Sequence, residues 1–214
     1  MKKYLLAAVV ILCMHTAPAQ WLNQNAGFSN DTLGFYEMSL PNKRTAWAVC
    51  YDGRGGLLSN RPILDFTRTT NAGKTWIPGK VGTDKTLRFS NISAIDEKEA
   101  WVAMHKISGV YGNIFLSFGK GGGVYHTTNG GVSWNQSNPG KLFNNNSVPR
   151  FVHFKNKNHG IAVGDPNGGN WEIYLTRNKG KKWERVAASK IPAPLAGEVG
   201  WISGHAVIGN TIWF

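Results

Sequence analysis

The chain of 214 residues is poor in cysteine, in acidic side chains and in long apolar runs. It contains two cysteines, and Cys13 falls in an N-terminal stretch that looks like a cleaved leader. Cys50 is then left alone, which excludes an intramolecular disulfide and makes a hydrophobic core the source of stability. The apolar run at the N-terminus is much shorter than the roughly 20 residues of a membrane-spanning helix, and no second long run follows.

The N-terminus has the three parts of a secretory signal peptide. Lys2 and Lys3 form a basic start, an apolar run follows, and Ala-Pro-Ala ends at Ala19. We predict a signal peptide over residues 1–19 with cleavage before Gln20. The mature chain is expected to be secreted, periplasmic or held at the cell surface.

Acidic residues number 12 against 24 Lys and Arg, which gives a formal net charge of +12. Basic side chains concentrate at 177–185, in the sequence RNKGKKWER. Such a run is typical of a solvated turn and strand, and it also attracts acidic partners. No helix-turn-helix, zinc finger or RNA-binding motif accompanies it. We therefore expect a protein or glycan partner with acidic groups where it contacts these basic side chains. We do not expect a nucleic acid partner.

Three segments repeat the pattern Thr-x-Asn-x-Gly-x-x-Trp. They are TRTTNAGKTW at 67–76, YHTTNGGVSW at 125–134 and YLTRNKGKKW at 174–183. A strand-like run precedes each copy, and a fourth such run closes the chain. The equivalent positions in these runs are 54, 60 and 52 residues apart, at Trp47, Trp101, Ile161 and Trp213. This regularity indicates an internal structural repeat.

Each repeat reads as four short strands joined by polar, Gly-rich turns. Alternating stretches such as Met38 and Leu40, or Ile92 and Ala94, lie about nine residues before the markers. No segment combines helical periodicity with capping residues. Short strands and one aromatic motif per unit predict an all-β protein, a β-propeller of four-stranded antiparallel blades.

The predicted division of the chain follows the repeats. We place blade 1 at about 34–81, blade 2 at 88–138, blade 3 at 148–187 and the start of a fourth blade at 199–214. Residues 20–27 (QWLNQNAG) resemble 133–140 (SWNQSNPG), and we interpret them as the closing outer strand of the last blade. Propellers have roughly four to eight blades, so the expectation is an incomplete ring and a fragment of a longer protein.

The repeated pattern resembles the Asp-box, or bacterial neuraminidase repeat, written Ser/Thr-x-Asp-x-Gly-x-Thr-Trp. The resemblance covers residues 21–214. Within the family, the chain is most similar to photosystem II assembly-factor and sortilin-like repeat proteins. It implies the propeller fold and is neutral about function, because the box occurs in enzymes and in non-enzymes. In all three copies Asn replaces the Asp of the pattern, so the turn loses its charge and cation binding is not expected.

The residue types of the pattern suit a tight turn. An Asn side chain can bond the backbone two residues on, Gly allows a positive φ, and Trp supplies a large apolar plate. The predicted structural residues are Thr69, Asn71, Gly73, Trp76, Thr127, Asn129, Gly131, Trp134, Thr176, Asn178, Gly180 and Trp183. We interpret these turns as structural elements that stabilise the blades, and not as catalytic sites.

Candidate ligand-binding residues follow the second strand of each repeat. Asp52, His105 and Asp165 occupy this position, one per blade, and the variable loops behind them carry Tyr111 and Trp171. Variable loops on a repeated scaffold commonly bind ligands. Aromatic rings near these loops suit stacking on sugars.

The favoured function is an exported binding or assembly module that recognises a protein or glycan on its loop face. No catalytic residue and no cofactor are assigned. The histidines lack ligand spacing, so no metal site is assigned either. The alternative is a sialidase- or endoglucanase-like glycoside hydrolase, with Asp52 and Asp165 as its carboxylate pair and further catalytic residues in missing blades. A scaffold that serves an unseen C-terminal sorting domain is a third possibility.

Overall fold

The computed structural model describes residues 24–54, 63–111, 114–143 and 145–214, with side chains 108–117 outside the description. The predicted signal peptide lies outside the described residues, as do residues 20–23. Within the described residues there are three four-stranded antiparallel sheets, one two-stranded sheet and a short 3-10 turn at Ala188–Lys190. No helix in this part of the chain has the length and apolarity to cross a membrane.

Each four-stranded sheet is an up-and-down meander in chain order. Sheet 1 contains β1 (Leu33–Ser39), β2 (Ala46–Asp52), β3 (Asp65–Thr69) and β4 (Ile77–Lys80). Sheet 2 contains β5 (Leu87–Ala94), β6 (Ala100–Tyr111), β7 (Ile114–Thr127) and β8 (Asn135–Gln136). Sheet 3 contains β9 (Pro149–Phe154), β10 (Gly160–Asn167), β11 (Asn170–Thr176) and β12 (Glu184–Arg185). A hairpin of β13 (Ala206–Ile208) and β14 (Thr211–Trp213) follows.

The core lies between the sheets. One cluster joins Trp47 and Phe66 of sheet 1 to Ile92 of sheet 2, and a second joins Trp101 of sheet 2 to Phe154 of sheet 3. A third lies on the far face of sheet 3 and is covered in part by β14. Successive four-stranded sheets packed face to face are propeller blades, so the predicted all-β propeller is confirmed.

Side chains of one inner strand hold the backbone of the next. Ser39 Oγ accepts a hydrogen bond from Ala94 N, and Ser93 Oγ accepts one from Phe154 N, both at 2.9 Å. The Asn91 amide also donates to Val152 O and accepts from Val152 N. The inner strands β1, β5 and β9 are therefore linked by hydrogen bonds at equivalent positions of successive blades.

Residues 24–27 form no strand, although they contact blade 1. Thr67 Oγ1 donates to Ala26 O at 2.9 Å, and Trp76 Nε1 donates to Gln24 Oε1 at 3.1 Å. The segment thus lies against the third strand and the repeated turn of blade 1. Its role in closing a ring stays a prediction.

Candidate functional site

The three predicted ligand-binding residues at the second strands are all buried. The Asp52 carboxylate faces Arg54, with Arg54 Nη2 2.7 Å from Asp52 Oδ2, and it also accepts from Thr32 Oγ1. The hydrogen bonds from Arg54 hold the pKa of Asp52 well below its usual range. At neutral pH this carboxylate is therefore ionised, and it is already paired.

Asp165 is paired as well. Arg150 Nε and Nη2 each donate to its carboxylate at 2.6 Å, in a two-point fork. Gly200 N donates to Asp165 Oδ1 at 3.0 Å. Asp165 thereby links Gly200, in the segment after blade 3, to Arg150 of blade 3.

His105 lies in a short hydrogen-bonded chain. Ser90 Oγ is 2.6 Å from Pro149 O, to which it donates, and 2.9 Å from His105 Nδ1. Since the hydroxyl has a single proton, we assign the proton in the second bond to His105 Nδ1. Burial, followed by the charges of Arg150 and Arg88, lowers the pKa of His105 to about 3. The imidazole is therefore neutral under ordinary conditions.

Sequence reasoning missed the bulges in the inner strands. The register of β1, β5 and β9 shifts at Tyr36, Ser90 and Arg150. These residues are 54 and 60 positions apart, the same spacing as the Trp47, Trp101 and Ile161 markers. Bulges redirect side chains and are over-represented beside active sites. The repeat spacing was the available signal, because it marks positions that are equivalent in every blade.

The bulges bring titratable groups from three blades together. We call this set the central cluster: Tyr36, Glu37, Arg88, Ser90, His105 and Arg150. The Ser203 hydroxyl joins it, 2.7 Å from Glu37 Oε2 and 2.9 Å from Ser90 O. The set combines residues of the first, second and third inner strands with the segment that follows blade 3.

Burial dominates the electrostatics of the central cluster. It raises the pKa of Glu37 to about 7 and, with help from the Glu37 charge, the pKa of Tyr36 to about 12. It lowers the pKa of Arg88. Arg150 also lies over the Phe118 ring, 4.8 Å from the centroid. Two guanidinium groups beside a phenol suit an anionic or hydrogen-bond-accepting ligand.

Of the two predicted aromatic residues, Trp171 is the one whose side chain is described. Trp171 is 9% exposed and packs edge-on against Phe214, with ring centroids 5.5 Å apart. The Tyr111 backbone pairs with Ile114 at the tip of the β6–β7 hairpin, and its side chain lies outside the described residues. The indole of Trp171 is therefore part of the packing on the far face of blade 3.

The three repeated turns share one hydrogen-bond pattern. In blade 2, Thr127 Oγ1 donates to Asn129 Oδ1 and accepts from Gly131 N. Asn129 Oδ1 also accepts from Ser133 N at 3.0 Å. The Asn side chain thus reaches four residues along the chain, where the sequence suggested two. The glycines Gly73, Gly131 and Gly180 have φ of 82°, 83° and 76°.

The Trp side chains of the turns take part in the packing between blades. Trp134 meets Phe66 of the preceding blade edge-on at 5.6 Å. Trp183 meets Phe154 of its own blade edge-on at 5.8 Å, in the cluster that also contains Trp101 of blade 2. Trp76 contacts Phe35 of its own blade and the amide of Gln24. The turn of one blade therefore stabilises the interface with its neighbour.

Nothing in the described part of the chain groups three or more His, Cys, Asp or Glu as metal ligands. Cys50 is buried in β2, and burial raises the pKa of its thiol to about 12. The thiol is therefore protonated and shielded, which disfavours nucleophilic chemistry.

No protein-family model and no curated protein matches the chain. Solved structures of propellers do. A YCF48 bound to D1 peptide has 22% identity and a TM-score of 0.45, over 72% of this chain and 40% of that one. YCF48 from Cyanidioschyzon merolae has 20% identity and a TM-score of 0.45, over 76% and 42%. The GH74 xyloglucanase from Xanthomonas campestris has 14% identity and a TM-score of 0.46, over 68% and 19%.

The chain thus spans about two-fifths of the YCF48 chains and about a fifth of the xyloglucanase. Likeness at these identities and TM-scores assigns neither ligand nor activity. The fold rests on the chain's own sheets and the contacts between its blades.

Proposed function

We propose that the protein is an exported binding module of the Asp-box type, which holds an acidic segment of a protein or glycan at its central cluster. Export is proposed from the leader-like N-terminus. The Asp-box character is proposed from the three turns, which share both sequence and hydrogen bonds.

One observation carries the choice of the central cluster. Arg150 is 4% exposed, two of its nitrogens bind Asp165, and Nη1 has no hydrogen-bond partner among the described residues. A buried guanidinium N–H without an acceptor is costly, and a bound anion would satisfy it. Arg88 adds a second cation to the same cluster.

Glycoside hydrolysis is the competing hypothesis, and the candidate acids argue against it. Hydrolysis of this kind needs one carboxylic acid that holds its proton and one carboxylate that is free to act. Asp52 is held ionised by Arg54, and Asp165 is engaged by both Arg150 and Gly200. Both carboxylates are therefore already engaged by donors of this chain.

The test combines binding and turnover on the whole chain. We expect saturable binding to members of an array of acidic peptides and acidic oligosaccharides, with no hydrolysis of chromogenic glycosides. Arg88→Gln should weaken binding at least roughly tenfold, because it removes a charge-assisted hydrogen-bond donor. Arg44→Gln, at an exposed turn, serves as the matched control.

Two results would reverse the proposal. One is equal binding by the Arg88→Gln and Arg44→Gln variants. The other is glycoside turnover that disappears in Asp52→Asn or Asp165→Asn while the melting temperature of the variant stays unchanged.

A further inference from the structure

A basic surface lies along the outer edge of blade 3, away from the central cluster. We call it the basic edge, and it consists of Arg177, Lys179, Lys181, Lys182, Arg185 and Lys190. Lys182 pairs with Glu184 at 3.0 Å, and Arg185 lies 3.9 Å from Glu172. The other four cations of the basic edge make no ion pair within the described residues. The basic edge therefore has a large excess of positive charge.

The fold does not require these lysines. The equivalent turn of blade 2 has Gly130, Val132 and Ser133 where blade 3 has Lys179, Lys181 and Lys182. In both turns the backbone N–H of the last of these positions, Ser133 or Lys182, donates to the Asn side chain, at 3.0 and 2.9 Å. The lysines are thus additions to a turn that forms equally well without them.

Lys182 replaces a side chain that stabilises the turn. In blades 1 and 2 the Asn amide donates to a hydroxyl at this position, Asn71 Nδ2 to Thr75 Oγ1 at 2.9 Å and Asn129 Nδ2 to Ser133 Oγ at 2.8 Å. A lysine ammonium has no acceptor, so it cannot take this bond. Blade 3 has a cation in place of a local hydrogen bond.

Lys179 also opposes the local backbone preference. Its φ is +65°, a left-handed conformation that residues with side chains adopt at a cost. The equivalent positions hold the small residues Ala72 at φ +60° in blade 1 and Gly130 at φ +74° in blade 2. Two departures from local preference in one turn, both of which add positive charge, are typical of a functional site.

The basic edge contains a groove suited to a chain-like ligand. A cleft of about 390 Å³ is lined by four cations and one acid, together with apolar side chains that include Leu175 and Val186. The cations are Arg177, Lys182, Arg185 and Lys190, and the acid is Glu184, which is paired with Lys182. A second cleft of about 400 Å³ shares Leu175 and Arg177 with the first. None of the side chains described around the first cleft is aromatic, which disfavours a ligand held by base stacking.

We infer that the basic edge binds a linear acidic polysaccharide, with its sulfate or carboxylate groups on the lysine and arginine side chains. Repeated anions along a flexible chain match several mobile point charges better than one shaped pocket does. The apolar floor of the first cleft suits the carbon face of a sugar ring. This site is separate from the central cluster, so either assignment can fail without the other.

The experiment compares dextran sulfate with unsulfated dextran of the same length, on the whole chain. We expect the sulfated polymer alone to bind, and binding should weaken as salt shortens the Debye length from roughly 10 Å at 0.1 M to roughly 3 Å at 1 M. The variant Lys179→Gly, Lys181→Val, Lys182→Ser gives blade 3 the turn of blade 2. It should lose at least roughly tenfold in affinity and melt no lower than the wild type, because the turn regains its hydrogen bond.

The matched control removes three exposed lysines near blade 1, by Lys43→Ser, Lys74→Val and Lys85→Ser. It should keep most of the affinity for dextran sulfate. Equal losses in the two triple variants would show attraction to net charge alone and would overturn the site. Tighter binding to polyglutamate, to single-stranded poly-dT or to phosphatidylglycerol vesicles would overturn the polysaccharide assignment.

Discussion

Trp134 and Asn129 belong to the same turn and contribute differently to stability. Trp134 packs edge-on against Trp47 and Phe66, whereas Asn129 is exposed and bonds only within its turn. We expect Trp134→Ala to cost about 3–5 kcal/mol and to lower the melting temperature by roughly 6–20 °C. Asn129→Ala should cost about 1 kcal/mol.

Thermal unfolding of both variants by circular dichroism measures the difference. Trp76→Ala is the control, because Trp76 is half-buried like Trp134 but packs on Phe35, 5.8 Å away in its own blade, where Trp134 packs on two rings of the preceding blade. It should lose less stability than Trp134→Ala. Equal losses for Trp134→Ala and Asn129→Ala would contradict the view that packing outweighs the turn hydrogen bonds.

Glu37 makes stability depend on pH. Burial raises its pKa from 4.5 to about 7, so between these values the native state keeps a proton that the unfolded state releases. The stabilisation is complete below pH 4.5 and is lost as pH rises to about 7. Glu37→Gln should remove up to about 3 kcal/mol of this pH dependence.

Urea unfolding at several pH values, in wild type and variant, gives the measurement. His105 and His205 have lowered pKa values and act in the opposite direction, but both are present in each protein and cancel in the difference. If the free energy of unfolding changes with pH in the same way for wild type and Glu37→Gln between pH 4.5 and 7, Glu37 does not titrate as a buried group.

Asn91 links the inner strand of blade 2 to the inner strand of blade 3. Its buried side chain bonds both Val152 N and Val152 O of the next blade. Asn91→Ala leaves both backbone groups without a partner, and each should cost about 1–3 kcal/mol. Hydrogen exchange at Val152 N–H should accelerate strongly. Ser39→Ala, which loses one bond to Ala94 N, is the milder comparison, and unchanged exchange at Val152 in Asn91→Ala would refute the role.

The strands that sequence predicts well are those whose pattern repeats. The alternation at Ile92 and Ala94, and the marker Trp101, placed β5 and β6 because side chains two residues apart lie on the same face of a strand. The same alternation hid the bulges at Tyr36, Ser90 and Arg150, since a bulge is a backbone irregularity that any residue type can adopt. The central cluster depends on those bulges, which is why it was missed.

The succession of blades was predictable, and the pairing of charged side chains was not. Repeat spacing locates each blade relative to the next, but the pairing of Asp165 with Arg150 inside blade 3 involves a residue at a bulge, which the alternation of residue types does not reveal. Exposure depends on neighbours too. Met38 is 40% exposed, whereas the equivalent Ile92 is 3% exposed, because blade 1 covers the face of blade 2 and no described blade precedes blade 1.

The two hydrophobic clusters each join a pair of neighbouring blades, so a loss of packing in one cluster should weaken its own two blades first. Trp47 lies between blades 1 and 2, whereas Trp101 lies between blades 2 and 3, stacked on Phe154. In such repeat architectures stability is a sum of units and nearest-neighbour interfaces. Trp47→Ala should therefore raise hydrogen exchange in β1–β3 and leave β9–β11 protected, and Trp101→Ala should expose β9–β11 first. Hydrogen exchange with mass spectrometry at moderate urea separates the two patterns, and the same uniform loss of protection in both variants would mean that the blades unfold as one unit.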